Sequence, residues 1–192
     1  MLAPEYPAAV VAGNVETSQS IVDALYGALN LQASSQGTMN NLTFGNSQWQ
    51  YYETICGGSG AGDGFHGTDA VHTHMTNSRL TDPEILEHRF PVRVLEFRIR
   101  ENSGGDGKFR GGNGVHRCLE FLQPMTAAIL SQHRETAPSG LAGGEDAAPG
   151  KNSLQKANGD TIRIAATEGF QVEPGDVLII DTPGGGGYGT PD

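Results

Sequence analysis

Three of the six histidines of this 192-residue chain lie within nine residues, in the stretch GFHGTDAVHTHMTNSR at positions 64–79. On a β-strand, His72 and His74 would point to the same face about 6.5–7 Å apart. Two imidazoles so placed could bind a divalent metal ion. Alternatively, one could act as a general acid or base near neutral pH while the other binds a substrate oxygen. The remaining alternative is that both are ordinary polar residues that hold turns together.

The neighbouring polar residues offer further candidates. Asp69 or His66 could be a third metal ligand. Thr76 and Asn77 could hydrogen-bond a substrate amide or carbonyl, or they could form turns and caps. Arg79 could bind a carboxylate or could simply be an exposed arginine.

A carboxylate and a glycine-rich turn precede the histidines. Glu53 ends the aromatic run QWQYYE, where apolar surroundings could raise its pKa and make it an acid–base catalyst. The alternative is that it pairs with an arginine. The turn GGSGAG at 57–62, which includes Gly58, could present backbone N–H groups to an anion, or it could be a plain turn.

Local patterns predict the elements that would position these residues. ETSQSIVDALYGALN (16–30) has the apolar spacing of an amphipathic helix, with Thr17, Ser18 or Ser20 as its cap. Strands are expected at 8–12, 49–55 and 69–75. TDPEILEHRF predicts a short helix, with Thr81 and Glu84 forming a capping box.

The second half indicates strands throughout, in VRVLEFRIR, VHRCLEFL, AAILSQH, DTIRIAA and GDVLIIDT. The alternation in VRVLEFRIR changes phase between Val94 and Leu95, which predicts a β-bulge. We expect an α+β, predominantly β fold, with a short-stranded sandwich or barrel in the second half and one or two helices in the first. A helix-containing segment at 1–90, with the glycine- and histidine-rich site, and a β-rich segment at 91–192 are expected to pack as one domain.

Composition narrows the class of protein. Twelve basic against 22 acidic residues give a net charge of −10, which disfavours a nucleic-acid surface. No apolar run is long enough for a membrane span. Cys56 and Cys118 are expected to be free thiols in a cytoplasmic protein. The 28 glycines favour turns, bulges and close backbone approaches. The chain has no G-x-x-x-x-G-K-[ST] phosphate loop and no G-x-S-x-G nucleophile motif.

Seven stretches, in order along the chain, resemble the C-terminal portion of the B-type subunit of hydantoinases and ATP-dependent 5-oxoprolinases. They are NVETSQ, SQGTMNNLTFGN, YYETICGGSGAG, HGTDAVHTHMTNSRLTDPEILEHRFPVRV, SGGDGKFRGGNGV, GLAGGEDAAPGKN and PGDVLIIDTPGGGGYG. The segment HTHMTNSRLTDPEILE is most similar to the 5-oxoprolinase branch.

The resemblance implies ATP-driven hydrolysis of a cyclic amide, 5-oxo-L-proline or a hydantoin-like ring. It also implies that ATP and a divalent ion, Mg²⁺ or Mn²⁺, bind outside this chain. The implied partners are a hydantoinase A-type ATP-binding subunit or half and the remainder of the B-type subunit. On this interpretation the chain would not catalyse alone.

Within this interpretation, residue chemistry suggests the roles. Glu53, His72 and His74 are the candidate catalytic residues, and the two histidines are also the candidate metal ligands. The candidate substrate-binding residues are Asn40, Asn41, Gly58, Asn77 and Arg79. Three alternatives stay open: a fragment of an ATP-dependent ketone carboxylase, a self-contained metallohydrolase using His66, His72 and His74, and a structural β module without catalysis.

Overall fold

A computed structural model of the chain describes residues 5–6 and 15–191. The strand expected at 8–12 lies outside the described residues. Helix α1 spans Glu16–Ala28 and helix α2 spans Pro83–Arg89. The strands are β1 Asn41–Gly45, β2 Gln50–Thr54, β3 Val92–Ile99, β4 Val115–Phe121, β5 Met125–Leu130, β6 Lys151–Gln155, β7 Thr161–Ile164, β8 Thr167–Val172 and β9 Val177–Asp181.

The strands form two antiparallel sheets, one in the order β2-β1-β5-β8 and the other in the order β3-β4-β9-β6-β7. Alternate side chains from the two sheets meet in one apolar core, because successive residues of a strand point to opposite faces. The core includes Leu42, Phe44, Leu119, Phe121, Ile129, Leu154, Val172, Leu178 and Ile180. The predominantly β, α+β prediction is therefore confirmed, as a sandwich and not a closed barrel.

Strand pairing departs from the expected arrangement in one respect. The sandwich was expected in the second half, but β1 and β2 come from the first half and complete the four-stranded sheet. The predicted β-bulge is confirmed, since the β3–β4 register shifts between Val94 and Glu96. Strands β1, β6 and β8 were not predicted, because NLTFG, KNSLQ and TEGFQV carry few apolar residues.

The glycine-rich segments pack against each other through their backbones. We call residues 57–62, 104–107, 111–114 and 184–187 the glycine bundle. Gly112 N donates to Ser59 O at 2.9 Å, Gly185 N to Gly112 O at 2.8 Å, and Gly105 N to Gly185 O at 2.9 Å. A Cβ at Gly58 would lie 2.0 Å from the Gly112 carbonyl oxygen. Close backbone approach thus explains much of the glycine content.

The strand predicted at 69–75 is wrong. That segment belongs to a loop in which Val71 makes one isolated bridge with Gly57. His74 has a φ of 56°, in the left-handed region, which no regular strand adopts. His72 and His74 therefore do not stand side by side on a strand face.

Both helices are confirmed, but their predicted caps are wrong. The α1 N-cap is Val15, whose side chain makes no capping hydrogen bond. The α2 N-cap is Asp82, one residue after the predicted Thr81, and its carboxylate accepts from Glu84 N at 2.9 Å. In the described part of the chain, no helix has the length and apolar character needed to cross a membrane.

Candidate functional site

Helix α1 turns its polar face inward. Glu16, Gln19 and Asp23 follow the i, i+3, i+7 spacing of one helix face, and Glu16 and Gln19 are buried. The apolar residues Ile21 and Leu25 are instead 51% and 55% exposed. The amphipathic pattern identified the helix, but the face that packs on the protein is the polar one.

Gln19 fastens the loop at residues 69–79, which we call the histidine loop. Its side-chain amide donates to Thr73 O at 3.0 Å and to Thr76 Oγ1 at 2.9 Å. In return, Thr73 Oγ1 donates to Gln19 Oε1 at 2.9 Å. Because all three residues are buried, these hydrogen bonds have little competition from water and hold the loop on α1.

His74 is held by the same helix. Its Nε2 lies 2.8 Å from Asp23 Oδ1 and 3.2 Å from Ser35 Oγ. Ser35 Oγ in turn donates to Asp23 Oδ2 at 2.9 Å. A catalytic triad needs serine and aspartate on different ring nitrogens, whereas here both contact Nε2. The contacts therefore do not match a serine triad, and a catalytic role for His74 stays a prediction.

His72 differs from its neighbour in having an unsatisfied ring nitrogen. Its Nδ1 is buried and has no hydrogen-bond partner in the described part of the chain. Burial lowers the pKa of His72 below its usual 6.5, so the ring is mainly neutral at pH 7. A neutral imidazole can accept a proton or hydrogen bond from a ligand, which is what a general base requires.

Asn40 and Asn41 are both buried in the framework under α1. The Asn40 amide donates to Gln36 Oε1 at 2.6 Å and to Ile55 O at 3.0 Å. The Asn41 amide donates to Glu16 Oε1 at 2.8 Å. Asn40 Oδ1 and Glu16 Oε2 are buried without a hydrogen-bond partner among the described residues. Burial also raises the pKa of Glu16.

Glu53 lies in the interior and pairs with an arginine, which was the alternative to catalysis. Its Oε1 accepts from Arg117 Nε at 2.9 Å and its Oε2 from Arg117 Nη2 at 3.2 Å. Tyr51 donates to the same carboxylate at 2.8 Å. Burial and this carboxylate raise the pKa of Tyr51. Sequence reasoning missed Arg117, because an arginine inside an alternating strand looks like a solvent-facing residue.

The remaining predicted residues are dispersed. Gly58 lies in the glycine bundle, where its N–H donates to Pro183 O at 3.1 Å. The N–H groups of Gly57, Ser59, Ala61 and Gly62 likewise donate to backbone carbonyls. These donors are therefore already used within the fold, and anion binding by this turn stays a prediction. Asn77 and Arg79 are exposed on the histidine loop.

An open groove of about 650 Å³ runs over the outer face of the four-stranded sheet. Of the predicted site residues, Asn41 lines it. Its other lining residues include Val15, Thr43, Tyr52, Ala128, Leu130, Glu168 and Gly169. The predicted residues thus occupy three places: this groove, the interior, and the histidine loop.

Comparison with known proteins shows which family the chain belongs to. The sequence matches the family described as "Hydantoinase B/oxoprolinase" over residues 1–191. The chain belongs to the hydantoinase B/oxoprolinase family. It is 52% identical over its whole length to the 5-oxoprolinase of Dictyostelium discoideum, of which it covers 15%. It is 49% identical, over 98% of its length, to 5-oxoprolinase 1 of Arabidopsis thaliana, again covering 15% of that protein.

A solved structure also resembles this hydantoinase B/oxoprolinase chain. The ATP-dependent caprolactamase of Pseudomonas jessenii matches it with a TM-score of 0.71 and 25% identity. The match covers 87% of this chain and 32% of the caprolactamase chain. The sequence therefore spans about a seventh of the two 5-oxoprolinases and about a third of that solved chain.

The divalent ion implied for the family finds no fitting donor set here. His66 Nδ1 accepts from Arg110 N at 2.9 Å, and His66, His72 and His74 do not form a three-donor group. Glu96, His116 and Cys118 do form such a group. Within residues 5–6 and 15–191, they are the one set of three or more His, Cys, Asp or Glu side chains whose possible ligand atoms lie close together. A thiol is a poor ligand for Mg²⁺ or Mn²⁺, which prefer oxygen ligands. The sequence signal for this group was the His-x-Cys spacing in VHRCLEFL.

Proposed function

We propose that the chain is one part of an ATP-dependent enzyme that opens a cyclic amide, with 5-oxo-L-proline as the foremost substrate. The observation that carries this is the 52% identity, over the entire chain, to a protein named 5-oxoprolinase. The likeness to an ATP-dependent caprolactamase supports the broader class, because caprolactam is also a lactam. A hydantoin-like ring is the second substrate of the same class.

The chemistry explains why ATP is needed. A five-membered lactam is a stable ring and its carbonyl carbon is a poor electrophile. Transfer of a phosphoryl group from ATP to the carbonyl oxygen would create a leaving group, and water could then attack the same carbon. ATP, the divalent ion and an A-type ATP-binding partner would be held outside this chain, which spans only a small part of its relatives.

The histidine loop is the part of this chain that best fits a substrate-binding role. It presents the neutral, half-buried His72 and the exposed Asn77 and Arg79 on one short segment. His74 would position the loop through Asp23. The contacts of Asn40, Asn41 and Glu53 support a role in holding the surrounding framework, and direct catalysis by Glu53 stays a prediction.

The exposed apolar residues of α1 support association with the rest of a longer protein. Ile21 and Leu25 of α1 and its C-cap residue Leu29 are 51%, 55% and 64% exposed. Aliphatic side chains gain about 25 cal/mol for each Å² removed from water. The occupant we propose for this face is the remainder of the B-type subunit.

The test uses the longer protein that contains this chain, together with its ATP-binding partner where that is a separate subunit. ADP release that depends on 5-oxo-L-proline is the expected result. ADP release that depends on a hydantoin would instead identify a hydantoin-like ring as the substrate. Dependence on bicarbonate and a ketone would contradict the proposal and favour the carboxylase alternative.

His72→Gln is expected to lower kcat/KM about 100-fold, because a positioned general base contributes about 10²–10⁴ in rate. His88→Gln, on the exposed part of α2, is the matched control and should retain full activity. Circular dichroism would verify that both variants are folded. Wild-type turnover of His72→Gln would contradict a general-base role for His72.

A further inference from the structure

A second cluster of reactive side chains lies on the outer face of the five-stranded sheet. Val115, Arg117 and Leu119 of β4 face the interior, so His116 and Cys118 point to the opposite face. Glu96 is the cross-strand partner of Cys118, and Asp181 is the cross-strand partner of His116. The sheet register therefore brings four residues from three strands together.

Three donor atoms of the cluster converge. His116 Nε2 lies 3.1 Å from Cys118 Sγ and 3.3 Å from Glu96 Oε2. All three atoms are within 4.8 Å of one another. Tetrahedral zinc with bonds of about 2.0–2.3 Å separates its ligand atoms by about 3.3–3.8 Å. The cluster needs only small shifts to reach that geometry.

The two ring nitrogens of His116 face different neighbours. Its Nδ1 lies 2.6 Å from Asp181 Oδ1, so the Nδ1 hydrogen is directed to that carboxylate. The other ring nitrogen, Nε2, faces a sulfur and a carboxylate oxygen. A hydrogen on Nε2 could form a good hydrogen bond with one of these two atoms, whereas a metal cation could bind Nε2, the sulfur and the oxygen together.

We propose that Glu96, His116 and Cys118 form a zinc site with an open fourth position. A thiolate, an imidazole and one carboxylate oxygen are the donor types that Zn²⁺ prefers. The carboxylate–histidine pair formed by Asp181 and His116 is the outer-shell arrangement found around zinc-bound histidines. The side chain of Glu96 is 44% exposed, which leaves room for a water molecule as the fourth ligand.

The charges of the site balance once zinc binds. Zinc displaces the Cys118 proton into solvent, and the thiolate and Glu96 together neutralise the two charges of the ion. Arg98 forms an ion pair with Glu96 Oε1, while Oε2 is directed at His116. The positive charge of Arg98 offsets the negative charge of Asp181. The site is separate from the histidine loop, and its existence does not depend on the proposed function.

The experiment titrates the full chain with Zn²⁺ and with Co²⁺ as a spectroscopic substitute. We expect one zinc ion per chain, one sulfur in its shell by X-ray absorption, and a thiolate-to-cobalt charge-transfer band. Asp181→Asn should weaken zinc binding by about 10–100-fold, because the second-shell carboxylate orients the histidine.

Cysteine variants assign the sulfur. Cys118→Ser should abolish the cobalt band, whereas Cys56→Ala, which removes the other buried free cysteine, should retain it. The wild-type measurement stands even if a variant fails to fold. Absence of stoichiometric zinc in the folded wild-type chain, or a bound ion with only nitrogen and oxygen ligands, would overturn the proposal.

Discussion

The Glu53–Arg117 pair shows that a carboxylate in apolar surroundings can be a catalytic group or half of a buried ion pair. The side chains of both are almost completely buried and form a two-point ion pair. Arg117 also lies 5.2 Å from the Phe97 ring centroid, in a cation–π contact, while its Nη1 has no hydrogen-bond partner in the described residues. An interior arginine must have a counter-charge, since an unpaired buried charge is very costly. Glu53 supplies that charge whether or not it has a catalytic role.

Removal of the Glu53 charge should therefore destabilise the fold strongly. Glu53→Gln leaves the Arg117 cation buried without a counter-ion, so we expect a loss of about 3 kcal/mol in the free energy of unfolding. Equilibrium unfolding in urea measures it. Glu135→Gln is the matched control, because the Glu135 and Arg163 side chains are 79% and 71% exposed and such pairs contribute under about 1 kcal/mol. Equal losses in the two variants would refute the argument.

Among the elements, the glycine bundle and α1 together determine where the histidine loop lies. The loop begins against the bundle, with Ala70 N donating to Asn113 O at 2.9 Å and Val71 N to Gly57 O at 2.8 Å. It then crosses to α1, where Gln19 and Asp23 bind Thr73 and His74. A change in the bundle should therefore alter the loop as well as overall stability.

Two glycine-to-alanine substitutions separate close packing from chain flexibility. In Gly58→Ala the new methyl group would lie 2.0 Å from Gly112 O and 2.5 Å from Gly185 N. We expect a loss of about 2 kcal/mol or more, because backbone atoms cannot move aside as side chains can. Gly27→Ala has open space around it in α1 and should stabilise the fold by up to about 1 kcal/mol. Thermal unfolding would measure both, and a neutral Gly58→Ala would contradict the packing argument.

At the scale of the whole molecule, the apolar side of α1 is unusual for a chain that stands alone. A surface helix normally directs its apolar stripe to the core, yet here the core-facing side holds Glu16 and Gln19. The exposed stripe and the open groove lined by Val15 and Asn41 are two surfaces that a larger assembly could cover.

The double variant Ile21→Gln/Leu25→Gln should affect the 192-residue chain less than the longer protein. In the 192-residue chain we expect a change of under about 0.5 kcal/mol, because these side chains are already exposed. In the longer protein the same variant should lower Tm and substrate-dependent ADP release. Ile162→Gln, on exposed β7, is the control. An unchanged Tm in the longer protein would argue against burial of this face.

The sequence by itself determined the family, the two helices, the predominantly β character and the bulge in β3. These depend on local periodicity, turn chemistry and long motifs, which short-range physics makes readable. The tertiary structure alone decided which distant strands pair, which face of α1 packs inward, and that Glu53 meets Arg117. It also showed that Glu96, His116 and Cys118 share one sheet face, while His72 and His74 lie on an irregular loop. Contacts between residues far apart in the chain depend on sheet register and backbone packing, which no local pattern encodes.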